Sequence, residues 1–137
     1  VMRNRESLIR LHKFQVDEKR RKVAELELML EEFRQRERDL EAQVETEQRK
    51  AGISDVAHFA YPMFAKSVIR RRENILESIE GIERQLDVAK EELGAAFREL
   101  KKYELLEDSR KRKVRKEAMR VEQAELDEIA LTIHRRH

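Results

Sequence analysis

Four histidines, at positions 12, 58, 134 and 137, are the residues best suited to hold a metal ion or to move a proton, and His134 and His137 stand three apart, on one face if that segment is a helix. A structural zinc needs four converging donors. With no cysteine in the chain and no carboxylate support beside the pair, a solvated helix end is the better reading, and no metal is expected. The absence of cysteine also removes disulfides and thiolate nucleophiles, and fits a reducing compartment. There is no glycine-rich phosphate loop, no Gly-x-Ser-x-Gly elbow and no His-Glu-x-x-His sequence. No catalytic or cofactor-binding residue is therefore assigned. The chain reads as a protein that touches other proteins, with no enzyme activity, no cofactor and no small-molecule substrate.

Two clusters remain. Three basic runs occur, Lys19 to Lys22, Arg70 to Arg72 and Arg110 to Lys116, and the first two read as solvated helix faces. In the third only Val114 is uncharged. A basic stretch of this kind could contact nucleic acid, but a basic-zipper protein would follow it with leucine at successive d positions, and here only Ala124 and Leu131 remain. An acidic protein surface is the better partner for Arg110, Lys111, Arg112, Lys113, Arg115 and Lys116, and nucleic acid is disfavoured. The second cluster is aromatic: Phe59, Tyr61 and Phe64 lie within six residues, with Met63 between them. They either cap the end of a core or form an interaction surface, and the residues alone leave both readings open.

The elements that position these clusters follow from composition. Charged residues make up 44% of the chain, and only three Gly and one Pro are present, which leaves no turn material for a sheet and points to long helices. No apolar run approaches the roughly 20 residues of a membrane span and no signal-peptide core is seen, so a soluble chain is expected. Val1 ahead of Met2 reads as a non-native residue.

The breakers gather between Gly52 and Pro62, where Gly52 suits a helix C-cap and Pro62 a first helical turn. The spacing predicts an all-α, antiparallel two-helix coiled-coil hairpin over residues 1–137, with helix 1 at about 2–50, a turn at about 51–62 and helix 2 at about 63–134. Heptad a positions fall at Ile9, Val16, Val23, Leu30, Glu37 and Val44, and d positions at His12, Lys19, Leu26, Phe33, Leu40 and Glu47. In the second helix the a series is Arg72, Ile79, Leu86, Leu93 and Leu100, and the d series is Val68, Ile75, Ile82, Ala89, Ala96 and Tyr103.

In such a hairpin the numbers of facing residues add to a constant. A sum of 112 matches Ile9 with Tyr103, Leu26 with Leu86 and Leu30 with Ile82, and brings Glu37 near Arg72; a one-heptad shift to 119 stays open. At about 1.5 Å per residue the helices would be about 70 and 110 Å long. Residues 111–137 then have no partner within the chain, although Val114, Val121, Leu126, Ile129 and Ile133 recur at helical spacing, and an external surface is expected to cover them.

Three segments, ESLIRLHKFQVDEKRRKVAELE, AGISDVAHFAYPMFAKSVIRRRENI and KKYELLE, resemble the FliJ family of flagellar export proteins in its alphaproteobacterial form. The resemblance implies a cytoplasmic component of the flagellar type III export apparatus, peripherally associated with it at the inner membrane. It further implies a central stalk for the hexameric export ATPase, contact with the export-gate membrane protein FlhA, and escort of export chaperones. On that basis Arg110 to Lys113, Arg115, Lys116, Val121, Leu126, Ile129 and Ile133 are expected to bind the ATPase. Phe59, Tyr61, Met63 and Phe64 are expected to bind the gate, although Pro62 departs from the family's pattern there. The alternatives are a structural coiled-coil scaffold or a basic nucleic-acid adaptor.

Overall fold

The computed structural model describes residues 2–136; Val1 and His137, and with it the His134–His137 pair, lie outside them. Among the described residues there are two α-helices and no strand: α1 (Met2–Ala51) and α2 (Asp55–Arg136). The chain divides into two compact units, Val16–Ala95 and Val1–Gln15 with Ala96–His137.

The unit Val16–Ala95 is an antiparallel hairpin held by one apolar seam. Leu26, Leu30, Ile79, Ile82, Leu86 and Ala89 form its buried cluster, with Val23, Phe33 and Ile75 packed against it. Val16, Leu40 and Val68 are also buried. Every one of these residues occupies an a or d position of the heptads above, because a period of 3.5 keeps one stripe facing the neighbouring helix while charged residues face water. Burying each large side chain stabilises the pair by about 1.5–3 kcal/mol.

Ion pairs flank the seam, Lys19 with Glu92 at 3.0 Å, Arg34 with Glu83 at 3.5 Å and Arg72 with Glu41 at 3.0 Å. Their residue numbers add to 111, 117 and 113, so two of the three fall near 112 while the Arg34–Glu83 pair falls nearer 119. These pairs are exposed, so each contributes at most about 1 kcal/mol and marks the register more than it stabilises it. Arg72 was expected beside Glu37. It reaches Glu41 instead, because from a half-buried seam position the long guanidinium arm extends one turn along α1 to a more solvated carboxylate.

The connection is far shorter than the expected 51–62. It consists of Gly52, Ile53 and Ser54 alone, and no glycine has the left-handed backbone of a C-cap. The N–H of Gly52 donates to the Gln48 carbonyl at 3.2 Å, continuing the helical pattern, and the N–H groups of Ile53 and Ser54 both reach Lys50 O at 3.1 and 2.9 Å. Ser54 then restarts the chain as an N-cap, its Oγ accepting from the Ala57 N–H at 3.4 Å. Pro62 consequently lies inside α2 rather than at its start. There it removes one backbone donor and crowds the preceding turn, a cost of about 3 kcal/mol, and the seam contacts of Tyr61, Phe64 and Val68 around it favour continuing the helix.

In the other unit, the first residues of α1 pair with α2 from Ala96 onward. Tyr103 stacks on His12, ring centroids 4.6 Å apart and 19° from coplanar. Leu100 is buried, and so is Glu107, an acid in an a position.

Candidate functional site

At the hairpin turn the helical start of α2 sorts the aromatic cluster onto two faces. Tyr61 and Phe64, three apart, turn toward α1: both are half-buried, their rings lie 6.1 Å apart, and the Tyr61 hydroxyl accepts a hydrogen bond from Gln48 Nε2 at 3.2 Å. Phe59 and Met63 turn outward and are 89% and 81% exposed. Two rings of the cluster thus pack toward α1, and Phe59 and Met63 stay in solvent. Ile53 in the link is exposed as well, and Val56, also exposed, shares the face of Phe59 and Met63 on α2, which the sequence reading missed. Its signal was present: Val56, Phe59 and Met63 are spaced i, i+3, i+7, but the segment was read as turn.

The basic run divides as well. Arg110 is half-buried and binds Glu107 through Nη2 at 2.8 Å and Nε at 3.3 Å, with Arg5 of α1 at 4.0 Å from the same carboxylate. The hydrogen bond from Arg110 holds the Glu107 carboxyl below its usual range, opposed by desolvation and assisted by the charges of Arg110, Lys111 and Arg5. Arg110 is itself raised by that bond. It therefore belongs to the last layer of the paired helices, not to a free basic surface. A notch of about 430 Å³ with Leu8, Ile9, Tyr103 and Leu106 in its lining opens beside this cluster.

Beyond it, every described residue from Lys111 to Arg136 is exposed, although all of them are helical. Lys111, Arg112, Lys113, Arg115 and Lys116 project into solvent, and among the described residues none of the five is held in an ion pair. Val121, Leu126, Ile129 and Ile133 are 43–57% exposed on the same helix. Charge reverses along this tail: after Arg120, which pairs with Glu117 at 2.7 Å, come Glu122, Glu125, Asp127 and Glu128 with no intervening cation. The Arg120 hydrogen bond lowers the Glu117 pKa. The acidic block was not singled out in the sequence because balanced net charge hides local order.

Among the described residues no group of His, Cys, Asp and Glu side chains could hold a metal ion, and no helix is long and apolar enough to cross a membrane. Two helices that share a heptad seam, with the second running on past the first, define an all-α coiled-coil protein. The family model described as flagellar FliJ protein matches residues 4–137, and the chain belongs to that family, as a component of the flagellar protein-export apparatus. No curated protein and no solved structure matches it.

Proposed function

We propose that this chain acts as the stalk of the export apparatus, its helical tail binding the hexameric export ATPase and its turn reaching the export gate FlhA, with export chaperones escorted between them. The observation that carries the reading is the uncovered tail. Residues 111–136 keep Val114, Val121, Leu126, Ile129 and Ile133 in solvent with no partner helix, which is costly to leave uncovered. Lys111, Arg112, Lys113, Arg115 and Lys116 supply attraction to an acidic rim, and Val121, Leu126, Ile129 and Ile133 supply the apolar contact. Arg110 contributes by ending the paired region. At the turn, Phe59 and Met63 are the gate contacts, and Tyr61 and Phe64 hold the helix that presents them. No residue in this scheme does chemistry; the chain works at the cytoplasmic face of the inner membrane by bringing partners together.

The test is to mix the purified chain with the export ATPase of the same organism and measure hexamer formation and ATP hydrolysis. The full chain stimulates hydrolysis, while a truncation after Glu117 loses the stimulation and keeps its helical circular-dichroism signal. Full stimulation by the truncated chain would refute the tail's role.

A further inference from the structure

The outer face of α2 at the turn end of the hairpin is ordered by chemistry as well as by exposure. With Arg72 at a, the f and b positions that point away from α1 hold Val56, Phe59 and Met63, then Lys66 and Arg70, then Glu73, Glu77 and Glu80, and all eight are exposed. One line thus reads apolar, basic and acidic with increasing distance from the turn. Its apolar members are the least covered: Val56, Phe59 and Met63 are 81–89% exposed, and Ile53 in the link is 88% exposed.

Charge around this end is lopsided. Residues 49–72 hold six Lys and Arg against one acid, Asp55, whereas the remainder of the chain holds 25 cations and 28 acids. Arg72 pairs with Glu41, and Lys50 with Glu47. Among the described residues Arg49, Lys66, Arg70 and Arg71 have no carboxylate partner, and Arg71 donates to Ser67 and Gln43. The adjacent turns of α1 add Glu45, whose charge Arg49 offsets.

We infer that this face rests on the surface of an anionic lipid bilayer, with Ile53, Val56, Phe59 and Met63 in the interface and Lys66, Arg70 and Arg71 on the headgroups. The spacing matches the depth of such a surface. Seven residues separate Phe59 from Lys66, about 10 Å of helix, and an interfacial helix buries its apolar side about 5–10 Å into the headgroup and acyl boundary. The long stems of Lys66 and Arg70 keep their charges at headgroup level while the apolar end sits deeper. Glu73 lies one turn beyond Arg70, and Glu77 and Glu80 stand about 10 and 15 Å beyond it, outside the screening length of about 8 Å in physiological salt.

A second copy of this chain cannot match both halves of the line. Antiparallel pairing that sets Phe59 against Met63 puts Lys66 on Val56, and the register that brings Lys66 and Arg70 to Glu77 and Glu73 leaves Met63 and Phe59 opposite Glu80 and Arg84. Parallel pairing sets each cation on its like. An acidic helix laid along the line to meet Lys66 and Arg70 would run on into Glu73, Glu77 and Glu80, whereas a lipid surface ends at its headgroups. Phe59 and Met63 are shared with the gate contact proposed above. The inference deepens that reading, on which it rests for the presence of a membrane at the turn, by naming what the face lies on before the gate is met.

The test uses the full chain and sedimentation with large unilamellar vesicles of phosphatidylcholine, alone or with about 30% phosphatidylglycerol. The chain binds the anionic vesicles at least about tenfold more tightly than the neutral ones. F59Q/M63Q and K66E/R70E each weaken that binding about tenfold or more, while K101E/K102E, the same change of net charge in the other unit, alters it less than about threefold. The chain has no Trp, so F59W supplies a single reporter whose emission shifts to the blue on anionic vesicles, and F14W, at another exposed phenylalanine, shows no shift. Unchanged circular dichroism shows that each variant folds. Equal binding to the two vesicles, no binding, or a loss in K101E/K102E as large as in K66E/R70E overturns the inference. So does sedimentation without a blue shift of F59W, which would place the lipid contact elsewhere on the chain. Capture of detergent-solubilised gate protein by a chain that ignores both vesicles overturns it and leaves the gate reading standing, and vesicle binding without gate capture supports it and refutes the gate reading.

Discussion

Leu26 and Leu131 are the same residue at the same d position of the heptad, yet one is 2% exposed and the other 52%. Around Leu26 the chain supplies its own second helix, with Leu86 and Ala89 in the same buried cluster. Around Leu131 it supplies nothing. A heptad therefore records the requirement for a partner and does not say whether that partner is internal. Where folding satisfies the requirement the stripe is structural; where folding leaves it open the stripe is available for binding.

The strongest way to break this contrast is to truncate both residues. Leu26→Ala lowers the unfolding free energy by about 2–4 kcal/mol, and Leu131→Ala changes it by less than about 0.5 kcal/mol, both read from urea melts. A comparable loss from both would show that the tail is covered in the free protein. The turn offers the same contrast within a few residues. Replacing Tyr61 and Phe64 together by Ala lowers stability by about 1–3 kcal/mol, whereas replacing Phe59 and Met63 leaves the melting temperature unchanged and weakens capture of the gate protein. If the second pair also destabilised the chain, the outward face would be core. A smaller change sharpens the picture in the opposite direction. An added Cβ at Gly81 would meet nothing within 4 Å, so Gly81→Ala gains up to about 1 kcal/mol through helix propensity.

Two Glu–Arg pairs, each three residues apart, complete the series. Glu107 is buried beside Arg110 and Arg5, and Glu117 is exposed beside Arg120, yet both carboxyls are held below their usual range. A depressed folded-state pKa means that the carboxylate's contribution is complete above its ordinary value of 4.5 and is lost as pH falls through the lower folded value. Thermal melts between neutral pH and pH 3 should therefore show Glu107→Gln flattening the acid limb, while Glu117→Gln leaves it in place, because the solvated pair is screened by water and salt. Equal effects from the two substitutions would show that burial adds nothing to the Glu107 pair.

The seam was legible in the sequence because a seven-residue repeat over many turns has one physical meaning, whereas the register stayed open by one heptad because sums of 112 and 119 both set a against d. The tail was legible by subtraction, since α2 outlasts α1. The turn was misread for an equally physical reason. Gly52 and Pro62 are both breakers in isolation, but here backbone bonds carry the helical pattern to Ser54, Ser54 caps the next helix at once, and seam contacts on both sides of Pro62 keep it inside α2. Once the turn shrinks, the aromatic cluster becomes helical and must divide by face, which separates Tyr61 and Phe64 from Phe59 and Met63. The Glu107, Arg110 and Arg5 cluster was missed because an acid at an a position reads as a flaw in the pattern until its two cations are placed beside it.

The three-residue link between α1 and α2 leaves almost no slack. Sliding one helix past the other by a heptad requires about 10 Å of travel, roughly the full reach of Gly52, Ile53 and Ser54 stretched out. An axial pull on the end of α2 is therefore checked by the covalent tether as well as by side-chain friction. The turn is a covalent stop that keeps the paired heptads from slipping past one another.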